Sequence, residues 1–145
     1  LKELMQKNIR ITMIGKSDEI PAKTWKVLQR AIDETKNNTG MVLNFAMNYG
    51  SRDEIMSAVN QILENDKIKS VDENIFNEHL MTKDFPDVDL LIRTSGEQRI
   101  SNFLLWQIAY AELKFVEEPW PDFDEDRFIE VLDEYSSRDR RFGGL

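Results

Sequence analysis

Apolar and polar positions along this 145-residue chain switch repeatedly between a period of two and a period near 3.6. Residues 1–7 read as the end of a helix. Ile9, Ile11 and Met13 alternate with Arg10 and Thr12, which predicts a short strand closed by Gly15. Ser17 and Asp18 are cap candidates, and Pro21 suits the first turn of a helix carrying Trp25, Leu28 and Ile32. Asn37-Asn38-Thr39-Gly40 ends that helix, and residues 41–46 form a second strand. Ser51 is a candidate cap for a helix with the apolar stripe Ile55, Val59, Ile62 and Leu63. A polar loop at 65–72 and a short helix at 73–81 follow. Residues 88–92 read as a third strand, entered after Pro86. Residues 94–100 form a loop, and Ser101 is expected to open a helix running to Tyr110. That helix is hydrophobic almost all round, so it is expected to be buried. Residues 113–116 make a fourth strand, Pro119-Trp120-Pro121 turns the chain, and Asp124 caps a last helix bearing Phe128, Val131, Leu132 and Tyr135. Strands alternating with helices predict an α/β fold, a parallel sheet flanked by helices.

Composition agrees with a packed domain, or part of one: charged residues are 32% and apolar ones 41%. The net charge of −8 argues against a nucleic-acid partner held through its phosphates. The charge is unevenly placed. Residues 112–134 hold ten acidic and two basic side chains, and residues 135–145 hold three basic and one acidic. Beyond residue 84 there are six Arg and one Lys, whereas before it nine Lys stand against three Arg. Arg suits bidentate oxyanion contacts, so this shift draws attention to the second half. With no Cys there is no disulfide or thiolate chemistry, and the single His79 excludes Cys/His zinc sites. His79 itself reads as structural or exposed. No apolar run reaches spanning length and no signal peptide opens the chain, so a cytoplasmic location is expected. The chain starts at Leu1 without Met, which suggests part of a longer protein.

Two strand-to-helix junctions carry clustered polar groups, at the strand ends where α/β folds bind ligands. In Arg93-Thr94-Ser95-Gly96-Glu97-Gln98-Arg99-Ile100-Ser101-Asn102, two Arg flank a turn whose end, Ser101, opens the expected helix. Free N–H groups, a helix dipole and two guanidiniums describe a phosphate cradle. The plainer reading pairs Arg99 with Glu97, uses Ser101 only as a cap, and sets Arg93 against Asp89. Residue types alone leave the two readings even. At the other junction, Asn44-Phe45-Ala46-Met47-Asn48-Tyr49-Gly50-Ser51-Arg52, spacing favours turn-stabilising Asn residues and a solvated Arg52. Glu112, following the expected buried helix and beginning strand four, offers a carboxylate for Mg²⁺ beside a diphosphate, though its position alone favours a solvated acid at a strand end. The tail Arg138-Asp139-Arg140-Arg141-Phe142-Gly143-Gly144 complements the last helix's dipole or reaches an anion, including one in a partner subunit.

The run from Asp89 through Arg93-Thr94-Ser95-Gly96-Glu97-Gln98-Arg99-Ile100-Ser101-Asn102 to Phe103-Leu104-Leu105-Trp106-Gln107 closely resembles the signature of cis-prenyltransferases, above all the bacterial undecaprenyl diphosphate synthase type. Leu43 to Arg52, Trp120-Pro121-Asp122-Phe123 and Arg140-Arg141-Phe142-Gly143-Gly144 agree with it, so the likeness runs along essentially the whole chain. Gln98 stands where many members carry His, and Gly50-Ser51-Arg52 replaces the usual Gly-Gly-Arg.

The resemblance implies condensation of isopentenyl diphosphate with an allylic diphosphate such as farnesyl diphosphate, with Mg²⁺. The new double bonds are cis, and the long polyprenyl diphosphate serves as a lipid carrier precursor for cell-wall synthesis. By similarity, Arg93, Arg99 and Ser101 hold the diphosphate of isopentenyl diphosphate, and Glu112 is metal-associated. Arg141 and Gly143 belong to a C-terminal Arg-x-Gly motif that completes the site in a homodimer. The lipid product implies a peripheral contact with the inner face of the membrane. The family's Asp-Gly-Asn-Gly-Arg segment, with its catalytic Asp, is absent from this sequence. Residues 1–145 are therefore expected to be the C-terminal portion of one catalytic domain, inactive alone. The alternative implied by the family is a non-catalytic partner subunit, against which the presence of Arg93, Arg99 and Ser101 together argues.

Overall fold

The computed structural model describes residues 1–138, which form two compact units divided between Asp84 and Phe85. In the first unit the elements run α1 (Lys2–Gln6), β1 (Arg10–Gly15), α2 (Ala22–Thr35), β2 (Val42–Met47), α3 (Ser51–Leu63) and α4 (Glu73–Asn77). β1 and β2 pair in parallel, with Arg10 opposite Val42 and Gly15 opposite Met47. α2 is the crossover that a parallel pair requires, and it packs on β1. Its end is tied down by Thr35. That buried hydroxyl donates to the Ala31 carbonyl at 2.7 Å and accepts the Ile11 N–H at 2.9 Å. β1 stops at Gly15, which has φ +102°; a Cβ there would lie 2.0 Å from the Met47 carbonyl oxygen. Only glycine fits that approach.

α3 turns Ala58 and Ile62 onto Phe76 and Leu80, with Ile55, Val59, Ile68 and Ile75 around them. α4 starts where Asp72 accepts the Ile75 N–H at 2.9 Å, a side-chain cap of a helix end.

The second unit holds β3 (Leu90–Arg93), β4 (Glu112–Phe115), a 3₁₀ turn at Trp120–Asp122 and α5 (Glu125–Ser136). β3 and β4 are parallel, pairing Leu90 with Glu112 and Arg93 with Phe115. Asp124 caps α5 as its sequence position predicts, accepting the Arg127 N–H at 2.9 Å. The alternation of strands and helices thus yields the expected α/β fold with parallel strands flanked by helices.

Several local expectations are corrected. No helix forms from Ser101 to Tyr110. Ser101, Asn102 and Leu104 take φ of +52°, +63° and +48°, left-handed values that a right-handed helix excludes. The segment runs instead as turns, with Ile108 N–H on the Leu104 carbonyl at 3.0 Å and Val88 N–H on the Gln107 carbonyl at 3.0 Å. Nor is it wholly buried. Gln107 and Ile108 are, whereas Phe103, Trp106 and Tyr110 are exposed. The fourth helix is shorter than the expected 73–81, ending at Asn77 before a series of turns. Ser51 is not the cap of α3. Gly50 holds that position in extended backbone, and Ser51 is the first, fully buried helical residue. Pro21 likewise stands at the N-cap of α2 rather than within its first turn.

Candidate functional site

β3 ends at Arg93, and the next residues stay stitched to the exit of β4. Ser95 N–H donates to the Glu118 carbonyl at 2.8 Å, Gly96 N–H to the Val116 carbonyl at 2.9 Å. Gly96, at φ +65°, lets the chain turn here, and a Cβ would meet a Glu117 carboxylate oxygen at 2.7 Å. The loop then folds back over the strand end. The Arg93 guanidinium closes it, one Nη1 donating to the Arg99 carbonyl at 2.5 Å and to Ser101 Oγ at 3.0 Å. Arg93, Arg99 and Ser101 share a cavity of 240 Å³ with Leu91, Ile92, Ile100 and Phe103. Three residues spread over nine positions of sequence are thereby gathered at the carboxyl end of a parallel strand pair.

The arrangement differs from the expected cradle in two ways. No helix starts at Ser101, so no helix dipole contributes; cationic side chains and the Ser101 hydroxyl carry the polarity. Arg99 is ion-paired with the Glu97 carboxylate, as the plainer reading held, and both side chains are partly exposed. Such a pair is weak in water and readily exchanged for a more highly charged oxyanion.

Glu112 is not brought to this loop by the strand register. It opens β4 opposite Leu90, while Arg93 closes β3 opposite Phe115. Three residues of strand separate the two levels by roughly 10 Å. The Glu112 carboxylate instead accepts from Arg138 Nη1 at 2.6 Å. Among the described residues, no group of three or more His, Cys, Asp or Glu could hold a metal ion. Mg²⁺ is commonly bound through one or two carboxylates plus substrate phosphates and water. Glu112 fits as one such donor and not as a complete site. Arg141 and Gly143 lie outside the described residues.

Other singled-out residues resolve as scaffold. His79 Nδ1 lies 2.7 Å from the Ile75 carbonyl, one helical turn back. Asn44 Oδ1 accepts from the Thr12 hydroxyl at 2.9 Å across the β1–β2 pair, and Asn48 takes φ +45° in the turn after β2.

Glu54 was not legible as special from its type. It is 1% exposed, accepts the Tyr49 hydroxyl on Oε2 and the Met81 N–H on Oε1 at 2.9 Å, and so binds the β2–α3 turn to the segment after α4. A signal did exist: Ser51, Glu54, Ala58 and Ile62 recur at helical spacing on the buried face of α3. In the same unit, α2 and the β1–β2 pair border an open apolar pocket of 570 Å³ lined by Leu4, Val27, Leu28, Leu43, Phe45 and Met47 among others.

Fold and loop together define an α/β protein whose arginine-rich loop closes the carboxyl end of a parallel strand pair. The family described as "Putative undecaprenyl diphosphate synthase" matches residues 1–143, and the chain belongs to that family of cis-prenyltransferases. Isoprenyl transferase of Bacillus subtilis is 47% identical over 150 residues, covering 100% of this chain and 58% of its own length. That of Lactobacillus johnsonii is 50% identical, covering 99% and 63%. The chain thus spans less than two thirds of these relatives. Among solved structures, a probable undecaprenyl diphosphate synthase from Campylobacter jejuni superposes with TM-score 0.85 at 31% identity, covering 99% of this chain and 67% of its own. Lavandulyl diphosphate synthase from Lavandula x intermedia, in complex with dimethylallyl diphosphate, gives TM-score 0.93 at 36% identity over 99% and 64%. Among the described residues no helix is long and apolar enough to cross a membrane.

Proposed function

We propose that this chain supplies the isopentenyl diphosphate subsite of a cis-prenyltransferase of the undecaprenyl diphosphate synthase type. The observation that carries this reading is the loop that gathers Arg93, Arg99 and Ser101 around one cavity. Two fixed cations and a hydroxyl suit a diphosphate, whose oxygens would take Arg99 from Glu97. Arg93 plays a second part as well. Its bonds to the Arg99 carbonyl and Ser101 Oγ hold the loop in its closed form, so the ligand would meet a preformed site.

In the reaction, farnesyl diphosphate or a related allylic diphosphate loses its diphosphate as the C–O bond breaks. The double bond of isopentenyl diphosphate attacks the allylic carbon, a proton leaves the acceptor, and a cis double bond remains. Placing the acceptor's double bond against that carbon is a problem of position and orientation, which anchoring its diphosphate at Arg93, Arg99 and Ser101 would solve. Mg²⁺ would neutralise charge on the diphosphates, with Glu112 as one protein donor. The open 570 Å³ pocket of the first unit suits a prenyl chain, its lining being apolar apart from Lys23 and Thr24. A homodimer completed through Arg141 and Gly143, and a lipid product used in cell-wall synthesis, belong to the same proposal.

Arg99→Ala is expected to weaken isopentenyl diphosphate binding about tenfold or more, the loss of one charge-assisted contact. Farnesyl diphosphate binding should change much less. Calorimetry with each substrate checks this; equal losses for both would remove the subsite assignment.

A further inference from the structure

Glu112 and Lys114 lie two residues apart on β4, so they share a face of the strand about 6.6 Å apart. Glu134 lies in the last turn of α5 and Arg138 two residues past its end, where the Arg138 N–H bonds the Tyr135 carbonyl at 3.1 Å. The charges pair in reversed order along the chain: Lys114 with Glu134, and Glu112 with Arg138 at 2.6 Å. A slip by one rung would set Glu112 against Glu134 and so place like charges together. The ladder therefore admits one register. The neighbouring Arg127 pairs with Glu118 at 3.0 Å and with Glu130 at 2.8 Å, and it also attracts the Glu134 carboxylate. The two rungs are only partly exposed at Lys114, Glu112 and Arg138, between 20% and 38%.

We infer that Arg138 is a positioning residue for Glu112: it holds that carboxylate in one orientation on β4, with the Lys114–Glu134 pair setting the register. The inference rests on the proposed part of Glu112 in diphosphate chemistry and adds a residue to it. A long carboxylate side chain at a strand end has several rotamers open to it, and a guanidinium at 2.6 Å selects one. Partly exposed ion pairs add little to global stability. Loss of Arg138 should therefore be felt at the ligand and hardly at all in the melting temperature, which separates positioning from simple structural support.

The test is a double-mutant cycle on the full-length protein, read as isopentenyl diphosphate affinity by calorimetry in Mg²⁺, with melting temperature in parallel. Arg138→Gln should weaken binding about five- to twentyfold while the melting temperature moves by no more than about 2 °C. Arg138→Lys should recover part of the loss. In a Glu112→Gln background, Arg138→Gln should add less than twofold, because its effect passes through Glu112. Multiplying losses would mean that Arg138 acts on the ligand by itself, and would overturn the inference. So would unchanged affinity in Arg138→Gln when Glu112→Gln binds poorly. If Glu112→Gln itself binds normally, the part given to Glu112 fails instead, while a loss in Arg99→Ala would still uphold the subsite.

Discussion

Glu54 shows how a single side chain can join two stretches of chain. A carboxylate is seldom buried unless its oxygens are satisfied. Here the Tyr49 hydroxyl and the Met81 N–H satisfy them from opposite sides of the sequence. Glu54→Leu would leave both donors without that acceptor, at about 1–3 kcal/mol each, partly offset by apolar burial. The expected net loss is about 2–4 kcal/mol, with a smaller loss for Glu54→Gln, which keeps an acceptor. Urea unfolding with an unchanged m-value checks this, and wild-type stability in Glu54→Leu would refute it. Arg93 and Arg99 make a related point. Their types and spacing suggested oxyanion chemistry, but not that Arg93 would spend its guanidinium on the Arg99 carbonyl and Ser101. Side-chain type is written in the sequence; the choice of partner follows from which atoms the folded loop brings near.

At the level of elements, α5 and β4 were both legible, one from its Asp124 cap and apolar stripe, the other from its short apolar run. Their ion-pair ladder was not, because it needs two periodicities to meet in space. The ladder has a pH signature. Lys114 beside Glu134 holds that carboxyl below its ordinary value, mainly through their hydrogen bond. A carboxyl whose folded pKa is depressed contributes stability above its unfolded pKa, and the contribution is lost as pH falls through the folded value. The contact of α5 with β4 should therefore loosen only as pH drops below the usual carboxylate range of about 4 to 4.5. In an NMR titration, Lys114→Met should move the Glu134 midpoint upward. An unmoved midpoint would show that the pair is not formed in solution. The segment 101–110 is the contrasting case. Its composition suits a buried helix, yet three left-handed residues, two of them Ser101 and Asn102, carry it through turns from the Arg93 loop back to Val88. Asn tolerates that backbone region better than most residues, a hint that apolar periodicity outweighed.

For the whole molecule, the match over residues 1–143 makes family membership secure, while the chain spans 58% of the Bacillus subtilis relative's length. Its sequence carries the arginine loop and lacks the Asp-Gly-Asn-Gly-Arg segment that the family resemblance associates with allylic diphosphate and metal. With one proposed diphosphate subsite and one candidate metal donor, these residues are expected not to elongate prenyl chains by themselves. Incubating the 145-residue polypeptide with Mg²⁺, farnesyl diphosphate and labelled isopentenyl diphosphate checks this; any extractable elongated product would refute it. The net charge of −8 also looks different once placed. Part of the acidic stretch 112–134 is engaged with cations on β4, on α5 and just past its end rather than simply facing water: Glu112 with Arg138, Glu134 with Lys114, Glu118 and Glu130 with Arg127.

Sequence by itself determined the alternation of strands and helices, the parallel α/β class, the α5 cap and the residues of the arginine loop. These depend on local periodicity, on capping chemistry and on a long uninterrupted signature, all read along the chain. Tertiary structure alone decided that 101–110 is turns, that Glu54 is bonded to Tyr49 and Met81, and that Glu112 faces Arg138 a few residues of strand away from Arg93. Periodicity reports which face a residue occupies, whereas the sign of φ and the identity of a partner depend on how distant segments close on one another.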